Sequence, residues 1–227
     1  MAVAAPVLTI HRNFPRPPAS VVDAFKSCGT GWVVDANGRR GALDFRIRPL
    51  TKAVRFAGVA LTVRNRARDN LSPYAAIACA RPGDVLVVAD NYLEAGIAGD
   101  VLLGMARNAG IVALVTDGLV RDIAGLDAVG LPVFARGLSP NSPYKDGPGE
   151  IGAAVSIGGV IVHSGDLVVG DENGVVVVAR TAAEGVAAAI REVETKEAMM
   201  DQWVKDGRTT PPWLDPILQG ATVQYVD

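Results

Sequence analysis

The chain has 227 residues, 49% of them hydrophobic and only 5% aromatic, with a formal net charge of −2. That composition supports a sizeable aliphatic, Ala/Gly-rich core and argues against disorder, while the near-neutral charge argues against a nucleic-acid partner, which needs a basic excess. No apolar run approaches the roughly 18–20 residues of a membrane span, and the start, Met-Ala-Val-Ala-Ala-Pro, lacks the pattern of a leader, so a cytoplasmic protein with no membrane partner is expected.

In chain order, Pro17-Pro18-Ala-Ser20 reads as a helix start, with Ser20 as N-cap and Gly29 as the stop after Cys28. Ala57–Val63 reads as a strand, followed by the basic stretch Arg64-Asn-Arg-Ala-Arg68 and a turn at Asp69-Asn70. Ser72-Pro73 opens a short helix, with Ser as N-cap and Pro at its first position. Pro82-Gly83-Asp84 punctuates, and Val85–Ala89 is a buried strand. Gly99 or Asp100 opens a helix to about Ala109, closed by Gly110. Ile111–Thr116 is the next strand, Asp117-Gly118 a turn, Leu119–Leu126 a short helix, and Leu131–Ala135 another strand. Strand–helix–strand order of this kind implies crossover units and parallel pairing.

Residues 137–150, rich in Pro, Gly, Ser and Asn, read as a long loop inside the domain. Short strands are expected near 151–155, 158–163 and 167–170, with Asp171-Glu-Asn-Gly174 turning into a strand over Val175–Ala179. Residues 181–205 form a helix, and the tail from Arg208, with Pro211, Pro212 and Pro216, is expected to wrap a surface. Gly83-Asp84 and Gly165-Asp166 each precede an apolar run ending in Asp, which reads as two strands entered by a Gly-Asp turn. Cys28 and Cys79 belong to no CxxC or Cys/His cluster, so neither zinc nor a disulfide is expected, and His11 and His163 read as surface residues.

The chemistry concentrates in residues 94–122, where an apolar segment carries Asp100, Asp117, Arg121 and Asp122. Charges embedded in apolar sequence are costly unless paired or bound to an ion. Asp100 sits where a helix begins, a terminus with free N–H groups that suits a carboxylate. Arg121 offers a planar fork for carboxylate or enolate oxygen. Asp122 offers hard oxygen for Mg²⁺, which takes one or two protein carboxylates and keeps its waters. Taken singly, Asp100 also reads as a cap, Arg121-Asp122 as a surface pair and Asp117 as a turn residue. Together they suit a 2-oxo acid. Arg64, Arg66 and Arg68 are either a solvated strand end or neutralise a second substrate carboxylate. The five lysines lie outside apolar runs, which disfavours a Schiff-base mechanism.

An acid, twenty intervening residues and then Arg-Asp, here Asp100, Arg121 and Asp122, resembles the RraA-like group that includes the 4-hydroxy-4-methyl-2-oxoglutarate aldolases. Gly99-Asp-Val-Leu102, Asp117-Gly118, Pro82-Gly83-Asp84, Gly158-Gly159, Gly165-Asp166 and Asp171–Val178 fit the same pattern, over roughly residues 20–200. The resemblance implies an α/β fold, a mixed-sheet ββα sandwich of the swivelling phosphohistidine-domain type, in one domain with a C-terminal helix and tail. It implies a class II pyruvate aldolase that uses Mg²⁺ or Mn²⁺ and decarboxylates oxaloacetate as a side reaction.

By the same resemblance, Asp122 ligates the metal through a largely aqueous shell, Arg121 contacts pyruvate and stabilises its enolate, and Asp100 helps order water there. Backbone groups of Gly99, Asp100, Val101 and Leu102 hold substrate. An acidic residue arrives from a neighbouring subunit's C-terminal helix in a homotrimer or homohexamer. Glu197 is the choice for it, with Glu194 as rival, since helical spacing puts both on one face. The alternatives are a binding protein like the RNase E activity regulators of this fold and another 2-oxo acid lyase or decarboxylase on the same metal site.

Overall fold

Four apolar runs of the sequence become the parallel centre of a mixed sheet. A computed structural model describes residues 6–226; Met1–Ala5, on which the expectation about a leader falls, and Asp227 lie outside the described residues. The first elements are β1 (Leu8–Ile10), α1 (Ala19–Asp23), α2 (Thr30–Ala36), β2 (Arg48–Pro49), β3 (Phe56–Arg64), α3 (Leu71–Ile77) and β4 (Asp84–Ala89). Next come β5 (Gly96–Ala98), α4 (Asp100–Asn108), β6 (Ala113–Thr116), β7 (Leu119–Val120), α5 (Ile123–Val129), β8 (Val133–Ala135) and β9 (Gly137–Leu138). The last are β10 (Gly149–Ile151), β11 (Val155–Ile157), β12 (Val160–Val162), β13 (Leu167–Asp171), β14 (Gly174–Val178), α6 (Ala183–Lys205) and α7 (Leu214–Leu218).

The main sheet runs β1-β10-β3-β4-β6-β8-β2, with β13 pairing β3 and β14. Strands β3, β4, β6 and β8 are parallel, and α3, α4 and α5 are the crossovers that parallel pairing requires. Register puts Leu61, Leu86, Leu114 and Val133 in one row. That row faces the three helices, with Leu102, Leu103, Ala106 and Leu126 packed on it. One residue along, Val87, Val115 and Phe134 face the other way, onto Val155, Ile157 and Val162 of the β11–β12 hairpin. Burial on both faces is why these strands read as continuous apolar runs rather than alternating ones. A third apolar cluster joins β13 and β14 to α1, α2 and α6. The architecture is α/β with β layered on β beneath helices, as expected from the resemblance.

Local chemistry explains where the elements end. Gly110 has φ +82 and follows α4; a Cβ there would lie 2.8 Å from Pro82 Cα, so only glycine fits. The Gly-Asp echo is one turn used twice. Asp84 Oδ2 accepts the Arg81 N–H at 2.9 Å and Asp166 Oδ2 accepts the His163 N–H at 2.8 Å, each from three residues back. Each buried carboxylate also meets an arginine, Arg16 for Asp84 and Arg180 for Asp166.

Several expectations need correcting. The helix expected from Ser20 to Cys28 is only Ala19–Asp23, with Pro18 rather than Ser20 at its N-cap. Gly29 starts a helix instead of stopping one. It is the N-cap of α2, and the Asp171 carboxylate accepts the Thr30 N–H and Oγ1–H, both at 2.7 Å. Ser72 is no cap either: Asp69 Oδ1 accepts the Leu71 N–H at 2.8 Å, while Ser72 Oγ donates to Asn65. Leu119–Leu126 is not one helix, because β7 comes first and Asp122, at φ 60 and ψ 45, breaks the chain before α5. The 137–150 loop contains β9 and the start of β10. The tail turns back on the last turns of α6, with a cavity of about 240 Å³ between Met200, Trp203, Val204 and Pro211, Trp213, and it includes α7. Among the described residues no helix is long and apolar enough to cross a membrane.

Candidate active site

A second, three-stranded parallel sheet, β5-β7-β9, brings the distant acid and the Arg-Asp pair together. Gly96 pairs with Leu119 and Ala98 with Val120, so the residues after Ala98 emerge beside those after Val120. The Arg121 N–H donates to Ala98 O at 3.0 Å and extends the pairing to the edge of the site. Gly99, the N-cap of α4, and Asp122, the N-cap of α5, therefore lie side by side.

The approach is close enough to dictate residue type. A Cβ on Gly99 would run into Asp122 Oδ2 and lie 3.4 Å from Arg121 Nε. A Cβ on Gly125, in the first turn of α5, would lie 2.6 Å from Asp100 Oδ2. The two helix starts thus interlock, the Asp122 carboxylate against Gly99 of α4 and the Asp100 carboxylate against Gly125 of α5. Arg121 Nε is 3.2 Å from Asp122 Oδ2, and Arg121 Nη1 donates to Ser142 Oγ at 2.7 Å. The Arg121 and Asp122 side chains are 37% and 42% exposed, so the pair is tethered yet open to a ligand.

Asp100 is not the cap but the first residue of α4, and its Oδ1 accepts the Val101 N–H at 2.8 Å. The Val101 side chain is exposed and Leu102 is buried in the core, so what these two offer a ligand is backbone. Asp117 is buried, and its Oδ1 accepts the Asp90 and Asn91 N–H groups at 2.8 and 2.9 Å, which makes it a clamp between the ends of β4 and β6. Glu197 is half-buried on α6, whose first turns pack on α2 and α1, and Glu194 lies near Cys28. Among the described residues neither glutamate is bonded to Arg121, Asp122 or Asp100.

Three residues carried no functional signal in the sequence. Ser142 comes from the Pro/Gly/Ser loop and was indistinguishable from its neighbours. Asn70 donates through Nδ2 to Ile97 O at 3.2 Å, and its buried Oδ1 has no partner among the described residues. Asp90 follows β4, with Oδ1 held by Asn65 at 2.7 Å and Oδ2 buried without a partner among the described residues. Burial, with Asp117 and Asp69 adding negative charge, pushes the Asp90 carboxyl up to about 7 against the hydrogen bond from Asn65.

No group of three or more His, Cys, Asp or Glu among the described residues forms a metal cage. The donors at the site are instead hard carboxylate oxygens, Asp122 and Asp100, and the absent side chain of Gly99 makes the room that Asp122 Oδ2 occupies. This donor set fits Mg²⁺ or Mn²⁺ carrying several waters.

The family model described as RraA-like, Aldolase/RraA, matches residues 19–177. A Halalkalibacterium halodurans protein named "Putative 4-hydroxy-4-methyl-2-oxoglutarate aldolase" is 34% identical over 186 residues, covering 82% of this chain and 89% of the relative. Among solved structures, an uncharacterized protein of Pseudomonas syringae pv. tomato superposes with a TM-score of 0.77 at 27% identity, covering 86% of this chain and 97% of the other. A Streptomyces coelicolor protein described as an unusual member of the RNase ES inhibitor RraA protein family superposes at 0.72 with 26% identity, covering 83% and 99%.

Proposed function

This chain belongs to the RraA-like family, and from that premise we propose that it is a divalent-metal-dependent pyruvate aldolase. Its substrate is a 4-hydroxy-4-substituted 2-oxo acid of the 4-hydroxy-4-methyl-2-oxoglutarate or 4-carboxy-4-hydroxy-2-oxoadipate type. The products are pyruvate and a second oxo acid. The observation that supports this best is the interlocking of the starts of α4 and α5, which seats Asp122 on Gly99 beside Arg121 and Asp100 on Gly125.

Asp122 would hold Mg²⁺ or Mn²⁺, which supplies Lewis-acid polarisation of the 2-oxo acid oxygens. Arg121 binds at the C2 oxygen, and its tether to Ser142 fixes the guanidinium plane. The C4 hydroxyl proton leaves to a water that Asp100 orders, and the C4–O bond becomes a carbonyl as the C3–C4 bond breaks. That electron pair forms the C2–C3 double bond and leaves the negative charge on the C2 oxygen, facing Arg121. Protonation at C3 gives pyruvate. Oxaloacetate that loses carbon dioxide leaves the same enolate, so decarboxylation is an expected side activity.

The alternative Schiff-base route needs a desolvated lysine, and all five lysines are exposed. Glu197 is proposed to act from a neighbouring subunit in a homotrimer or homohexamer, since among the described residues it is bonded to none of Asp100, Arg121 and Asp122.

A second reading, a regulator that binds an RNase, draws on the printed description of the Streptomyces relative. One assay separates the two. Purified protein is incubated with 4-hydroxy-2-oxo acids and oxaloacetate, and pyruvate is measured. The aldolase releases it, loses activity to a chelator and regains it with Mg²⁺ or Mn²⁺. Full activity after exhaustive chelation would refute the metal, and no release from any substrate would refute the lyase.

A further inference from the structure

Of the three arginines at the end of β3 and just after it, two are engaged. Arg64 pairs with Glu150 at 2.8 Å, and Arg66 Nη1 donates to Gly147 O at 2.6 Å. Arg68 is different. It adopts φ +58, a left-handed conformation that is uncommon for a non-glycine residue. Its guanidinium carbon sits 5.5 Å from the centroid of the Tyr144 ring. Its Nε is buried without a hydrogen-bond partner, and it pairs with no carboxylate among the described residues.

The nearby acids are already committed. Asp69 accepts the N–H groups of Leu71, Asp146 and Gly147. Asp90 is held by Asn65. A desolvated guanidinium donor without an acceptor is costly unless something from outside supplies one.

Where Arg68 sits identifies that acceptor. The Tyr144 N–H donates to Arg68 O at 2.7 Å, and the Asn70 N–H donates to Tyr144 O at 3.0 Å. Ser142, two residues before Tyr144, is the residue that holds Arg121. The same loop is tied to β5 through Gly96 N–H to Asn141 O at 3.1 Å, and Asn70 reaches β5 through Ile97 O. One loop therefore seats two guanidiniums, on residues whose Cα atoms are at most ~7 Å apart. A five-carbon diacid, at about 1.5 Å per bond, spans ~5 Å between its end carbons. With Arg121 at the 2-oxo end, the same loop offers Arg68 as a second planar fork for the other end.

We propose that Arg68, stacked on Tyr144, binds the far carboxylate of the substrate and makes the site select 2-oxo diacids over 2-oxo monoacids. The proposal rests on the aldolase reading of the Arg121 site and adds to it a specificity residue that the Arg-Asp pattern does not contain.

The test reads binding, so that it stands apart from turnover. 2-Oxoglutarate and 2-oxohexanoate, which replaces the far carboxylate with an apolar end, are titrated calorimetrically with Mg²⁺ into wild type, Arg68→Met and Arg68→Lys. Melting temperatures check folding. Wild type binds the diacid at least tenfold more tightly. Arg68→Met, which keeps an apolar stem over Tyr144, weakens the diacid by tenfold or more and leaves the monoacid within twofold. Arg68→Lys, which keeps the charge and loses the fork, gives an intermediate preference and serves alone if the Met variant does not fold. Equal affinity of wild type for both ligands, binding of neither, or equal weakening of both in the variants overturns the proposal. A wild type that prefers the diacid yet releases no pyruvate refutes the aldolase reading and supports the role of Arg68.

Discussion

Arg121 joins an anchor, Ser142, to an acid, Asp122, and its side chain is still over a third exposed. A residue that only bridged the surface would contribute under about 1 kcal/mol and tolerate lysine. If it faces the enolate oxygen, Arg121→Lys keeps the charge and loses the planar fork, at a cost of ~3 kcal/mol or roughly a hundredfold in kcat. Steady-state kinetics with oxalate as inhibitor checks this: kcat should fall far more than oxalate affinity, and equal losses would reduce Arg121 to a carboxylate binder. At this scale Asp100, Arg121 and Asp122 were legible, because charged side chains inside an apolar segment need a reason. Ser142 and Asn70 were not. Their roles depend on partners 21 and 27 residues away, and nothing local distinguishes them from other loop residues.

The elements divide in the same way. The runs at 57–63, 85–89, 111–116 and 131–135 announce the parallel strands because both faces are buried, and Gly110 marks the end of α4 because the chain there needs a left-handed residue. The β5-β7-β9 sheet, which actually builds the site, was invisible: strands of two or three residues carry no period to read. Helix α2 was missed because its capping carboxylate, Asp171, lies 141 residues away. The carboxyl ends of β4 and β6 supply a prediction of their own. Asp90 follows β4 with its carboxyl raised to about 7 by burial and by Asp117 and Asp69, so the folded protein holds a proton there that the unfolded chain releases near pH 4. The stability from this group is full below pH 4 and is lost as pH rises through about 7. Asp90→Asn removes the titration and keeps the acceptor for Asn65. It should raise the melting temperature at pH 8, by the equivalent of ~2–4 kcal/mol, and change it little at pH 4. A melting curve that shifts equally at both pH values would show that Asp90 is not held protonated.

At the scale of the molecule, one end of the chain stands unlike the rest. The far half of α6 and the tail expose Met199, Met200, Val204, Trp213, Ile217 and Tyr225. An apolar stretch of this kind on a helix that has left its own core suits an interface with further copies. The sequence pointed to a helix over 181–205 that an Ala-rich start would dock, but which chain receives its charged half is a property of the assembly and is not written in local pattern. If Glu197 serves a neighbour's site, mixing Asp122→Ala with Glu197→Ala subunits should restore activity above either parent, since some sites then carry neither lesion. Verified subunit exchange with no recovery would put Glu197 outside the shared site. The central claim, that Asp100, Arg121 and Asp122 form a site that generates a pyruvate enolate, does not depend on knowing the second product. It is tested most directly by following exchange of the pyruvate methyl protons in D₂O by NMR. Wild type with Mg²⁺ should exchange them well above the rate with buffer and metal alone, and Arg121→Lys and Asp122→Ala, folded by their melting curves, should not. Exchange at the background rate in wild type, or undiminished exchange in both variants, would contradict the account.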